Sequence, residues 1–152
     1  MQWEDTLRMV GASLLYGKML ANEVGKEGAY EVMRKWAEQF ASQGIEDTKK
    51  ELGITGTAPR DLYNCLKAYH EKMSIHYEIE EETSDQITYR IKKCVMPTCC
   101  GMSGWDCKEI CERFIFPLCA KVAPIIGGDL TMEVLEFNLN IEKGCRYRIS
   151  KK

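Results

Sequence analysis

Apolar residues recur at helical spacing over the first 73 residues and then switch to strict alternation with polar ones. Leu7, Val10, Leu14, Leu15 and Met19 mark a first helix, and Val24 extends the stripe. Tyr30, Met33, Trp36, Ala37 and Phe40 mark a second, which continues through Ile45 to Leu52. Gly25 and Gly28 punctuate the boundary between them. Gly53-Ile54-Thr55-Gly56-Thr57 reads as a loop, and Pro59 opens a third helix that runs to about Met73 and buries Leu62, Leu66 and Tyr69. This half reads as a helical scaffold or dimer face.

The period then drops to two. Ile75, Tyr77 and Ile79 alternate with His76, Glu78 and Glu80; after Thr83-Ser84-Asp85, Ile87, Tyr89 and Ile91 alternate with Thr88, Arg90 and Lys92. This predicts a hairpin with one apolar face, its register helped by Glu78 and Glu80 opposite Arg90 and Lys92. Residues 96–105 read as an irregular loop. Asp106 is placed to cap a helix carrying Cys107 and Cys111, which Pro117 is expected to kink or end. Residues 130–141 read as a strand with Leu135, Phe137, Leu139 and Ile141 on one side, Glu142-Lys143-Gly144 as a turn, and Cys145, Tyr147 and Ile149 as the apolar side of a last strand. The predicted class is α+β: N-terminal helices, then an antiparallel sheet of two hairpins with a cysteine-bearing helix between them. A single domain over residues 1–152 is expected, helical over 1–73, with the antiparallel sheet and cysteine-rich insert over 74–152.

Composition narrows the function classes. The chain is 45% hydrophobic and 29% charged with a net charge of -2, and acids and bases are interspersed. No basic excess marks a nucleic-acid footprint, and the apolar runs are too short and interrupted for a membrane span. The start, Met1-Gln2-Trp3-Glu4-Asp5, is acidic where a secretory signal would be basic, so a cytoplasmic location with reduced thiols is expected.

The candidate chemistry lies in the cysteines. Seven of the eight fall between Cys94 and Cys145, five of them between Cys99 and Cys119. Cys107 and Cys111 share one helix face, Cys94 ends a strand and Cys145 begins one, so these four can converge on a zinc ion or an iron–sulfur cluster. Cys99, Cys100 or Cys119 can substitute for one of them. Three thiolates with water or Glu112 would leave an open, Lewis-acidic position. Against this stand two other readings: buried reduced cysteines acting as small hydrophobes, and redox or nucleophilic thiols. The spacing matches neither zinc-finger nor ferredoxin runs. His70 and His76 read as solvated, and no phosphate-binding glycine motif occurs. Tyr77, Tyr89, Met96, Met102, Trp105, Phe114, Phe116, Phe137 and Tyr147 could line an apolar ligand pocket or simply fill the core.

Several spaced residues together resemble a known pattern. Lys93-Cys94 closes a strand, Cys107-Lys-Glu-Ile-Cys111-Glu112 lies on a helix, and Pro124 follows. Glu133 and Glu136 fall on a strand, and the chain closes on Gly144-Cys145-Arg146-Tyr147-Arg148-Ile149. This resembles the L-2-amino-thiazoline-4-carboxylic acid hydrolase-like family and, more distantly, the vinyl-4-reductase-type domains that bind small hydrophobic molecules. The resemblance implies a metal role for Cys111, Cys145 and Glu133. The expected function is a cysteine-ligated zinc or iron–sulfur domain that binds or senses a small hydrophobic molecule as a homodimer. One alternative is a metal-assisted hydrolase of a small ring with Glu112, Glu133 or Glu136 as base. The other is an iron–sulfur electron-transfer protein.

Overall fold

A computed structural model describes residues 1–152 and shows an α+β fold. Helix α1 (Trp3–Glu51) is followed by α2 (Pro59–Glu71), strands β1 (His76–Glu82) and β2 (Gln86–Lys92), and helix α3 (Met96–Ser103). Then come α4 (Cys107–Ile110), a π-helical turn (Cys111–Ile115), α5 (Phe116–Ile126), β3 (Leu130–Glu136) and β4 (Arg146–Lys151). The sheet is antiparallel in the order β1-β2-β4-β3.

The boundary expected at Gly25 is real. Gly25 adopts φ +77°, a left-handed conformation that glycine reaches without steric cost, and α1 kinks there into two arms. The arms fold back on each other: Leu14, Tyr30, Met33 and Ala37 share one core, and a Cβ at Gly17 would collide with Met33. Part of each stripe faces outward. Leu15 and Met19 in the first arm, and Trp36 and Phe40 in the second, are exposed rather than buried. Trp36 and Phe40 stack on each other at 5.6 Å.

The first hairpin forms in the expected register. Tyr77 faces Ile91 and Glu78 faces Arg90; Glu80 takes Arg90 at 2.8 Å and Glu78 takes Lys92 at 3.3 Å. Residues 96–103, read above as irregular, are helical. Pro97 sits in the first turn, and Gly104, left-handed at φ +71°, ends the helix. The buried positions Met96, Cys99, Cys100 and Ser103 have helical spacing, a signal hidden by reading the cysteines as ligands instead of apolar side chains. Asp106 caps α4 by accepting the Glu109 N–H at 2.8 Å, as expected. Pro117 does not break the rod. The turn widens to a π-helix in which the Phe116 N–H reaches the Cys111 carbonyl, and Pro117 falls in the first turn of α5.

The second hairpin differs from the reading in phase and length. β3 ends at Glu136 and turns Leu130, Met132 and Val134 inward, against Ile149 and Tyr147 of β4. Leu135 and Leu139 therefore lie off the core-facing set, and residues 137–145 form a connection instead of continued strand. Gly144 fixes that connection. It has φ +68°, and a Cβ there would overlap the Ile91 carbonyl. The Ile91 N–H bonds the Cys145 carbonyl at 3.0 Å and the Lys93 N–H bonds that of Ile141 at 2.9 Å, so the end of β2 and the start of β4 are tied together.

Candidate functional site

The apolar interior is divided into two cores. One joins the sheet to α2 and α5 through Leu62, Leu66, Ile87, Tyr89, Val122, Ile126 and Ile149. The other joins α1 to α3 and α4 through Leu14, Tyr30, Met33, Cys99, Cys100 and Trp105. Five side chains pack against both: Tyr77, Ile91, Phe116, Leu118 and Phe137. All five are only half-buried. These side chains bridge the two cores and keep some accessible surface. This seam is the candidate site. A groove beside α2, lined by Leu52, Ile54, Asn64, Lys67, Ala68 and Glu71, lies outside it among solvated charges.

Strand alternation brings aromatic rings to one wall of the seam. Tyr77, Tyr89 and Tyr147 stack across β1, β2 and β4, with centroids 5.1 and 5.6 Å apart. His70 of α2 extends the stack over Tyr77 at 5.5 Å. Phe116 meets Tyr147 and Phe137 edge-on. Loss of hydration raises the phenols of Tyr77, Tyr89 and Tyr147 well above their usual range, so they are neutral. The same effect lowers the His70 imidazole to about 4. His70, read from sequence as solvated, is the polar residue that the sequence reading missed; no periodicity distinguishes it from a surface histidine. His76 is exposed, as expected.

His70 Nδ1 lies 3.0 Å from the Leu66 carbonyl and 2.7 Å from the Tyr77 hydroxyl. One nitrogen cannot satisfy both partners in both senses. If Nδ1 carries the proton it donates, and the Tyr77 proton is left over. If Nδ1 is bare it accepts from Tyr77, and Nε2–H is left over. Either tautomer leaves the pair one donor to offer a ligand oxygen.

Seven of the eight cysteines divide into three kinds. Cys99 donates to the Leu7 carbonyl at 3.6 Å and helps bind α3 to α1. Cys145 accepts the Asn138 N–H at 3.4 Å and donates to its carbonyl at 3.6 Å, bracing the β3–β4 connection. Cys94 and Cys119 reach toward the seam, where burial pushes each thiol up to about 12. Cys100, Cys107 and Cys111 lie near one another where α3 gives way to α4. Their mutual interaction holds the Cys107 thiol below its usual range and raises those of Cys100 and Cys111. The expected metal centre gains no support: no set of three or more His, Cys, Asp or Glu side chains is placed to hold an ion. The sulphurs of Cys99 and Cys145 are spent on backbone partners in different elements. The set Cys94, Cys107, Cys111 and Cys145 therefore gains no support as a zinc or iron–sulfur site.

The carboxylates named as candidate bases lie outside. Glu112 pairs with Lys108 at 3.1 Å, Glu133 with Arg148 at 3.3 Å, and Glu136 with Arg90 at 3.1 Å, all three exposed. Strand alternation puts Glu133 on the outer face, opposite the inward Met132 and Val134. None of the three faces the seam's tyrosine wall, so the hydrolase reading gains no base from the geometry. No helix is long and apolar enough to cross a membrane.

No family model and no curated protein matches the chain, so the specific family resemblance is not confirmed. Solved structures do match. The phenol-responsive sensory domain of the transcription activator PoxR, crystallised with phenol, superposes with a TM-score of 0.64 at 11% identity. That match covers 93% of this chain and 74% of that one. A trafficking protein particle complex subunit 3 from Naegleria fowleri, covalently bound to palmitic acid, superposes with a TM-score of 0.56 at 9% identity. It covers 99% of this chain and 97% of that one. At such identities the likeness establishes a shared α+β fold: helices at the N-terminus, a four-stranded antiparallel sheet, and helical segments between its two strand pairs.

Proposed function

We propose that this chain is a binding or sensory domain for a small, largely apolar molecule with one oxygen-bearing polar group, seated in the seam between the two cores. The observation that carries the reading is the set of five side chains touching both cores yet only half-buried, walled by the tyrosine stack. Apolar area buried there would supply affinity, at roughly 25 cal/mol per Å². The unspent donor of the His70–Tyr77 pair would orient the polar group, since neutral His70 and neutral Tyr77 impose no charge requirement. Both solved relatives hold apolar ligands, phenol in one and palmitic acid in the other, which supports this use of the fold.

The domain works as a homodimer in this reading. Tyr16 and Met19 on one arm of α1, and Trp36 and Phe40 on the other, are each about 60% exposed, a concentration of large apolar groups that a second copy would cover. The test of ligand binding is thermal unfolding of the intact chain with phenol and, separately, with palmitic acid. A saturable rise in melting temperature with either ligand, lost in Phe116→Ala, supports the reading. Absence of any saturable rise with both overturns it.

A further inference from the structure

The segment that joins α3 to α5 grips both arms of α1. On the first arm, Trp105 Nε1 donates to the Leu14 carbonyl at 2.8 Å, and Lys18 Nζ donates to the Gly104 carbonyl at 2.9 Å. On the second, Lys26 pairs with Glu109 at 2.5 Å, and Arg113 pairs with Glu27 and, at 3.6 Å, with Glu109. The Arg113 guanidinium also lies 4.9 Å over the ring of Tyr30, which packs on Trp105 at 5.4 Å. Exposed ion pairs contribute little stability singly, so the effect of these is positional. The two grips straddle the kink at Gly25. A Cβ at Gly25 would meet nothing within 4 Å, so no group packed on that residue fixes the angle between the arms.

The same rod reaches the seam. Arg113 lies in the π-helical turn, and Phe116 and Leu118 follow that turn directly. Both pack against the two cores, and Phe116 meets Phe137 and Tyr147 at 6.1 and 6.3 Å. A π-turn closes with i→i+5 bonds where the flanking helix uses i→i+4, and so holds a surplus residue. Exchanging one kind of bond for the other moves that surplus along the rod and turns the side chains in between. The rod therefore has a second register within reach that keeps its hydrogen bonds. We propose that this rod is a relay: filling the seam displaces Phe116 and Leu118, shifts the π-turn, loosens the grip of Arg113 and changes the angle between the two arms of α1. The arms carry Tyr16 and Met19 on one side of the kink and Trp36 and Phe40 on the other, so the output is the shape of that exposed face. As a response to a ligand the relay rests on the seam being a binding site; as a mechanical coupling it is tested without one.

The experiment fills the seam by mutation. Leu118→Phe adds bulk at a half-buried seam position and stands in for a ligand. Backbone hydrogen exchange of the intact chain is read by mass spectrometry over residues 22–30, around the kink, and 114–122, along the rod. Exchange over 22–30 should be at least about threefold faster than in the wild type. Arg113→Met keeps the stem and removes the charge. Added to Leu118→Phe, it should abolish that increment, measured against Arg113→Met alone, while residues 114–122 still respond. Ile91→Phe fills the seam from the sheet side and repeats the cycle where Leu118→Phe does not fold. Wild-type exchange over 22–30 in the filled-seam variants, or an increment that survives Arg113→Met, would overturn the relay. Phenol and palmitic acid that both leave the melting temperature unmoved would end the ligand reading alone, since the filled-seam variants need no ligand.

Discussion

The two cores are built from different materials. The core under the sheet is aliphatic and aromatic: Leu62, Ile87, Ile149 and Leu130 are at most 1% exposed, and Tyr63, Tyr89 and Tyr147 pack between them. The core under α1 is soft, with Cys99, Cys100, Cys111, Met33, Met96 and Trp105. Branched side chains suit a pleated surface and have few rotamers to lose. Thioethers and thiols fill irregular gaps between helices that cross at varied angles. The first core therefore fixes the frame, the second holds Cys99, Cys100 and Cys111, and the seam lies where side chains pack against both.

The comparison breaks most severely if the tie between β2 and β4 is removed. Gly144→Ala places a Cβ on the Ile91 carbonyl at a positive φ, and should cost about 4 kcal/mol in urea unfolding. Near-native stability would mean that this junction does not fix the frame. Next, Leu62→Ala in the sheet core should cost about 3 kcal/mol, against about 1 kcal/mol for Cys99→Ala in the soft core. Equal losses would erase the distinction between frame and filler.

A pH series sharpens the wall of the seam. Unfolded, His70 titrates near 6.5; folded, burial lowers it to about 4. Above pH 6.5 both states are neutral and the stability is fully present. As pH falls from 6.5 to 4 the unfolded chain takes up a proton that the folded one refuses, so stability declines by up to about 3 kcal/mol and then levels. His70→Gln should flatten that slope; an unchanged slope would place its source elsewhere. The smallest effect on stability is expected outside both cores. Trp36→Glu, at a position 59% exposed, should change unfolding by no more than about 0.5 kcal/mol while halving the mass seen by light scattering. A wild-type chain that is already monomeric would remove the dimer from the reading.

Much of the frame was legible in the sequence because it rests on local rules. The break at Gly25, Pro59 at the start of α2, the register of β1 on β2 and the Asp106 cap all depend on residues within a few positions of one another. The errors came where local and distant forces compete. α3 looked irregular because Pro97, Gly101 and Gly104 are poor helix formers, yet burial of Cys99 and Cys100 against α1 outweighs that preference. Leu15, Met19, Trp36 and Phe40 share stripes with Leu14, Met33 and Ala37, and spacing says only that a stripe exists, not which side another element covers.

By itself, then, the sequence determined the class of the fold, the order of its elements and the concentration of thiols in its second half, all consequences of periodicity and turn chemistry. Only the tertiary structure decided what the cysteines do. Their spacing along the chain allowed one shared site, but the fold turned Cys99 to a backbone carbonyl of α1 and Cys145 to the backbone of Asn138. It also turned His70 inward onto Tyr77 and left the seam between two cores, because packing is a property of surfaces brought together from distant parts of the chain.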